Sequence, residues 1–211
     1  PAGAVADVHL VAAYDDPAAL EQLAATCAVV TTEFENAPAE AMAQLAARIP
    51  VRPSPAALAT TQDRIAEKQF LDDIGVGVAP YVVIVTDADL ADAAGFSFPA
   101  ILKTARLGYD GKGQIRCAYA TDLAAAWDEL GRVPCVLEQR LPLDRELSLV
   151  LARTADGRVA CYPVSQNQHV HGILDVSYTP ANLPGTAPAD AAELCTYIAE
   201  ELQFVGVMAV E

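Results

Sequence analysis

Short β-rich runs alternate with Ala-rich stretches of helical period along the first part of the chain. Val8–Ala13 and Cys27–Thr32 read as strands. Between them Asp16-Pro17 opens a helix containing Leu20 and Leu23, because an acidic cap followed by Pro at the first helical position is a start signal. Pro38–Ile49 reads as a second helix, with Met42, Leu45 and Ile49 at helical spacing. That β-α-β-α order predicts a small parallel sheet. Val51-Arg52-Pro53-Ser54-Pro55 breaks the pattern and marks a domain boundary, giving domains 1–55 and 56–211.

Beyond the break, Thr60–Asp73 reads as one amphipathic helix that Gly75, Gly77 and Pro80 terminate. Strands are predicted at Tyr81–Val85, Ala100–Thr104, Gln114–Ala118 and Cys135–Leu141, and helices at Ala88–Ala94 and Asp122–Leu130. Glu146–Thr154 and Val159–Val164 form a hairpin across Asp156-Gly157, the strongest turn signal in the chain. A helix at Asp190–Glu201 and a wholly apolar strand at Phe204–Val210 complete the pattern. A domain rarely stops inside a buried strand, so the sequence reads as a fragment, with an opening strand missing from the first sheet.

Composition narrows the function classes. The 211 residues are 53% apolar and 19% charged, which predicts a well-buried core. A net charge of −15 disfavours nucleic acid and anionic lipid as partners, so an anionic ligand needs a local gathering of cations. The five cysteines show no metal-binding spacing and read as reduced core thiols. No apolar run reaches membrane-spanning length and no signal peptide is visible, so the expected location is the cytoplasm.

Four segments could carry chemistry. In Lys103–Gln114, Gly108, Gly111 and Gly113 let a backbone approach a ligand, and successive N–H groups in such a turn can hold an anion; Lys103 and Lys112 add positive charge. The order is not that of a Walker A loop, and a plain hairpin turn is the alternative. In Glu138-Gln139-Arg140-Leu141, followed by Glu146, an apolar strand ends in groups suited to a purine edge and to ribose hydroxyls; the alternative is a solvated loop. Gln166–Gly172 carries His169 and His171, read as polar loop residues at a cleft, since no further ligand supports zinc. Glu211 ends an apolar strand, either re-entering solvent or offering an oxygen to Mg²⁺.

In that order the segments resemble the ATP-grasp ligases, and within them the 5-(carboxyamino)imidazole ribonucleotide synthases. The matching residues are Thr32–Asn36, Asp63-Arg64 with Lys68-Gln69, Gly108–Gln114, Tyr162-Pro163 with Asn167 and His169, His171–Leu174, and Gly206–Glu211. The resemblance implies an α/β (α+β) ATP-grasp fold: a partial parallel pre-ATP-grasp domain, then an ATP-grasp domain, both incomplete. It implies ATP and Mg²⁺ as cofactors, bicarbonate and 5-aminoimidazole ribonucleotide as small-molecule substrates, and a homodimer.

Carried onto this chain, Arg64 and Lys103 resemble the cations on the nucleotide. Residues Gly108, Tyr109, Asp110, Gly111, Lys112, Gly113 and Gln114 resemble the flap over the phosphates. Glu138, Gln139, Arg140 and Leu141 resemble the adenine hinge, Glu146 the ribose acceptor, and His169 a further nucleotide contact. Tyr109 and Lys112, joined by Glu35 or Glu33, resemble contacts to the ribonucleotide or bicarbonate. Glu211 resembles a metal carboxylate. Some relatives carry Arg where Lys112 stands, and Arg binds phosphate in a bidentate way that Lys does not. Two other readings fit the same segments. One is an ATP-grasp ligase with another acceptor, such as a formate-dependent glycinamide ribonucleotide transformylase; the other is a non-catalytic nucleotide-binding module.

Overall fold

The computed structural model describes residues 2–108, 111–170 and 172–211. The chain divides into two compact units, Pro1–Ala59 and Thr60–Glu211.

In the first unit, helix α1 (Pro17–Thr26) begins where expected: the Asp16 carboxylate accepts from the Ala19 N–H at 2.9 Å. Strand β1 (Val30–Thr31) precedes α2 (Ala39–Ala46) and pairs in parallel with β2 (Val51–Arg52), matching the expected parallel sheet. Leu20, Met42, Leu45 and Val51 bury the apolar faces of these elements. Val8–Ala13 is not a strand; it forms no ladder, and Val8 and Val11 are exposed. Its β propensity is unused because propensity without a paired neighbour does not make a strand.

The predicted helix over Thr60–Asp73 is two helices, α3 (Pro55–Thr61) and α4 (Arg64–Asp73). Gln62 and Asp63 separate them, and the Asp63 carboxylate caps α4 by accepting from Ile65 and Ala66 N–H. An N-cap residue has extended backbone, so the cap itself breaks the helical run.

The second unit holds two sheets. The first has the order β3-β6-β4-β5, all antiparallel: β3 (Tyr81–Ile84), β4 (Ala100–Thr104), β5 (Gln114–Cys117) and β6 (Cys135–Gln139). Helices α5 (Asp87–Ala93) and α6 (Leu123–Glu129) cover it. Ile84, Leu102, Leu137 and Trp127 meet in this core, and the Trp127 indole N–H donates to the Val133 carbonyl at 2.8 Å. Cys117 and Cys135 are buried here, and burial pushes the Cys135 thiol up to about 11. All five cysteines are free, but Cys161 is exposed and is not a core thiol.

The second sheet runs β10-β9-β7-β11, with β8 (Val159–Cys161) also on β7 (Glu146–Arg153). The β7–β8 hairpin turns at Asp156-Gly157 as expected. Strands β9 (Ser165–Val170) and β10 (Ile173–Tyr178) form an antiparallel hairpin. Gln166–His169 is therefore strand, not loop. Helix α7 (Ala187–Glu201) packs on β7, and β11 (Gly206–Val210) lies along β7's other edge. Among the described residues no helix is long and apolar enough to cross a membrane.

Candidate functional site

A polar cavity of about 760 Å³ lies between the two sheets of the second unit. One wall comes from β4, β5 and β6 through Ile101, Lys103, Gln114, Arg116 and Glu138. The opposite wall comes from β7 and β9 through Glu146, Asn167 and His169. Residues Gln139–Arg145, which carry the chain from one sheet to the other, close its floor. The volume lies in the range of small-molecule sites.

Alternation along the strands decides which side chains enter. On β4, Ala100 and Leu102 face the buried core, so Ile101 and Lys103 face the other way, into the cavity. On β6, Leu137 points into the core and Glu138 into the cavity. The Glu138 carboxylate is held by two ammonium groups, Lys68 at 2.6 Å and Lys103 at 2.5 Å. Burial pushes this carboxyl up, but hydrogen bonds and charge from Lys103 and Lys68 outweigh it and leave it below the usual range. Across the cavity, His169 Nδ1 lies 2.8 Å from a Glu146 carboxylate oxygen. Asn167 is buried, and its side-chain oxygen accepts from the Ser148 and Ser177 hydroxyls.

The glycine-rich loop between β4 and β5 packs at the rim. Thr104 N–H donates to the Gly113 carbonyl at 2.8 Å. Gly113 has φ +70°, and a Cβ there would lie 2.6 Å from the Thr104 hydroxyl, so both dihedral and space call for glycine. Gly108 lies against Arg64, where a Cβ would meet the guanidinium at 2.7 Å, and Arg64 in turn donates to the Thr104 carbonyl at 2.8 Å. The turn between β9 and β10 approaches the same loop, since a Cβ on Gly172 would lie 3.3 Å from Gly111 Cα.

The sequence-predicted residues thus fall into groups. Lys103, Gln114, Glu138, Gln139, Arg140, Leu141, Glu146 and His169 share the cavity. Arg64 and Gly108 lie beside it through the loop contacts, Gly111 and Gly113 form the loop's far end, and Lys112 is exposed. Tyr109, Asp110 and His171 lie outside the described residues. Glu33 and Glu35 belong to the first unit, exposed in the bend after β1. Glu211 is exposed at the end of β11, whose register sets Val210 opposite Leu149 of β7. Among the described residues no three His, Cys, Asp or Glu side chains gather where they could hold a metal.

Sequence reasoning assigned no role to Lys68, Arg116, Gln166 or Tyr178. Lys68 entered only among the residues that carry the resemblance, whereas it is 9% exposed and paired with Glu138. Arg116 follows from strand alternation once Gln114 is placed, whereas Gln166, the direct neighbour of Asn167 in β9, does not.

Comparison with known proteins agrees with this architecture. Residues 69–211 match the ATP-grasp domain family, and residues 1–62 match the ribonucleotide synthetase pre-ATP-grasp domain. A Brucella melitensis N5-carboxyaminoimidazole ribonucleotide synthase is 41% identical over the whole of this chain, which covers 59% of that protein. Among solved structures, an N5-carboxyaminoimidazole ribonucleotide synthetase in complex with ADP superposes with a TM-score of 0.92 at 34% identity, over 99% of this chain and 55% of that one. The Aspergillus clavatus synthase in complex with ADP and 5-aminoimidazole ribonucleotide gives 0.87 at 27% identity, over 99% and 56%. The chain thus spans somewhat over half the length of the relatives it matches. A pre-ATP-grasp unit, two antiparallel sheets with a lysine-lined cavity between them, and a glycine loop at the rim are features of one lineage, and the chain belongs to the ATP-grasp family.

Proposed function

We propose that the protein carrying this chain joins bicarbonate to the amine of 5-aminoimidazole ribonucleotide with ATP, forming N5-carboxyaminoimidazole ribonucleotide, ADP and phosphate. The observation that carries this reading is the cavity in which Lys103 and Glu138 face Glu146 and His169, in a chain similar along its whole length to such synthases. Residues 1–55 are read as part of the pre-ATP-grasp domain and 56–211 as ATP-grasp domain.

Lys103 is suited to a phosphate, and the Gln139–Leu141 backbone is suited to an adenine edge. Glu146 is suited to accept from ribose hydroxyls, with His169 fixing its position. Arg64 and the Gly108–Gln114 loop would close over the phosphates. Transfer of a phosphoryl group needs positioning and charge neutralisation above all. A bicarbonate oxygen takes the γ-phosphoryl, giving carboxyphosphate; the exocyclic amine then bonds to the carboxyl carbon as phosphate leaves. Carboxyphosphate hydrolyses in water, so a closing loop would protect it. Tyr109, Lys112 and Glu35 (or Glu33) are proposed to contact the bicarbonate or ribonucleotide.

Glu211 would supply one carboxylate to Mg²⁺. A single carboxylate fits this ion because it commonly takes one or two with substrate phosphates, and Mg²⁺ when bound would neutralise phosphate charge. A soluble, cytoplasmic homodimer is part of the same proposal.

The test is phosphate release by the whole protein, with and without bicarbonate and aminoimidazole ribonucleotide. Release that needs both supports the reading. Release driven by a different acceptor replaces it with another ligase, and nucleotide binding without stimulated release makes the protein a non-catalytic module. Lys103→Ala should abolish nucleotide binding and leave the fold intact, as judged by circular dichroism.

A further inference from the structure

Helix α4 turns one face toward the floor of the first sheet, and three polar residues a helical turn apart occupy it. Arg64 donates to the Thr104 carbonyl, Lys68 binds Glu138, and Asp72 accepts from the Tyr81 hydroxyl at 2.8 Å. Lys68 does not reach the cavity. Its ammonium is enclosed by the Glu138 carboxylate on one side and the Tyr81 ring, 5.1 Å to the centroid, on another. Tyr81 and Glu138 are themselves paired across β3 and β6, so the enclosure is built by register.

We propose that Lys68 is a positioning residue that sets the charge Lys103 presents to an anion in the cavity. The inference rests on the nucleotide reading of that cavity. Glu138 has two carboxylate oxygens, one on Lys68 and one on Lys103. With both lysines in place the three groups carry a net positive charge, and Lys103 keeps attraction to spare for a phosphate. Without Lys68 the same carboxylate closes on Lys103 alone, and the wall facing the cavity becomes a neutral ion pair. Partial enclosure makes the difference large, because charges shielded from water act more strongly on one another. Glu67, on the same helix, feels this cluster too: burial pushes its carboxyl up against the pull of Arg64, Lys68 and Lys103, and because Glu67 is present alike in wild type and in Lys68→Met it does not alter the comparison between them. The cation–π contact with Tyr81 holds the ammonium in place without consuming its charge.

Isothermal titration of the whole protein with tripolyphosphate and with adenosine tests this, since only the first is an anion. Lys68→Met should weaken tripolyphosphate about tenfold and leave adenosine unchanged. Lys68→Arg should restore binding to within about twofold of wild type. Glu138→Gln should tighten tripolyphosphate several-fold, and the double variant Lys68→Met/Glu138→Gln should bind it at least as well as wild type. A role for Lys68 in folding alone would instead lower both ligands together in Lys68→Met, which overturns the proposal. So does unchanged tripolyphosphate affinity in Lys68→Met while Lys103→Met loses it. If Lys103→Met binds tripolyphosphate like wild type, the nucleotide reading itself falls. Should Lys68→Met not fold, Glu138→Gln decides, and absence of tightening there overturns the proposal.

Discussion

At Glu138 three forces on one carboxyl can be ranked. Burial favours the neutral acid, while hydrogen bonds and charge from Lys103 and Lys68 favour the anion and win. A carboxyl whose folded value lies below the unfolded value near 4.5 contributes stability above that pH and loses it as pH falls through the lowered value. Urea denaturation from about pH 7 down to about pH 3 should therefore show an acid loss of stability that is smaller in Glu138→Gln than in wild type, the remainder coming from other carboxyls held low, such as Asp89. Asp63 gives a second expectation. Asp63→Ala removes the cap of α4 and should cost about 1 kcal/mol in urea denaturation, whereas Asp63→Asn should retain most of it. Single residues were readable in the sequence where their role is local. Asp16-Pro17 and Asp156-Gly157 specify their own backbone and do so in the structure. Lys68 was not, because its burial is created by Tyr81 and Glu138, which are distant in sequence.

Elements divide along the same line. The strand pair around the glycine loop and the β7–β8 hairpin follow from alternation and turn chemistry. The β9–β10 hairpin does not, because Gln166, Asn167, Gln168 and His169 place polar groups on both faces of the strand. All four line the cavity, so the departure from alternation is itself a mark of the site. Val8–Ala13 errs in the opposite direction, with strand-forming residues and no partner strand among the described residues. The first sheet depends on α6 to close its core, and Trp127 is the largest side chain sealed there. Trp127→Ala should cost about 3–5 kcal/mol by urea denaturation, from the void and from the carbonyl of Val133 losing its donor.

For the whole molecule, a net charge of −15 coexists with a cavity lined by Lys103, Arg116, Arg140 and Arg145 against the acids Glu138, Asp144 and Glu146. The gathering of cations that composition demanded of an anion-binding protein is present in one place. A small anion can reach it while an extended polyanion meets repulsion elsewhere, so the protein should pass through a heparin column at about 0.1 M salt without retention. Among the described residues the chain crosses between the two sheets of the second unit once, through residues 140–145, with Pro142 among them. A guest touching Lys103 on one side and Glu146 on the other would act as a clasp across that crossing. Amide hydrogen exchange should then slow on β4 and β6 and on β7 and β9 together when the nucleotide is added, and a slowing confined to one sheet would show that the guest leans on a single wall.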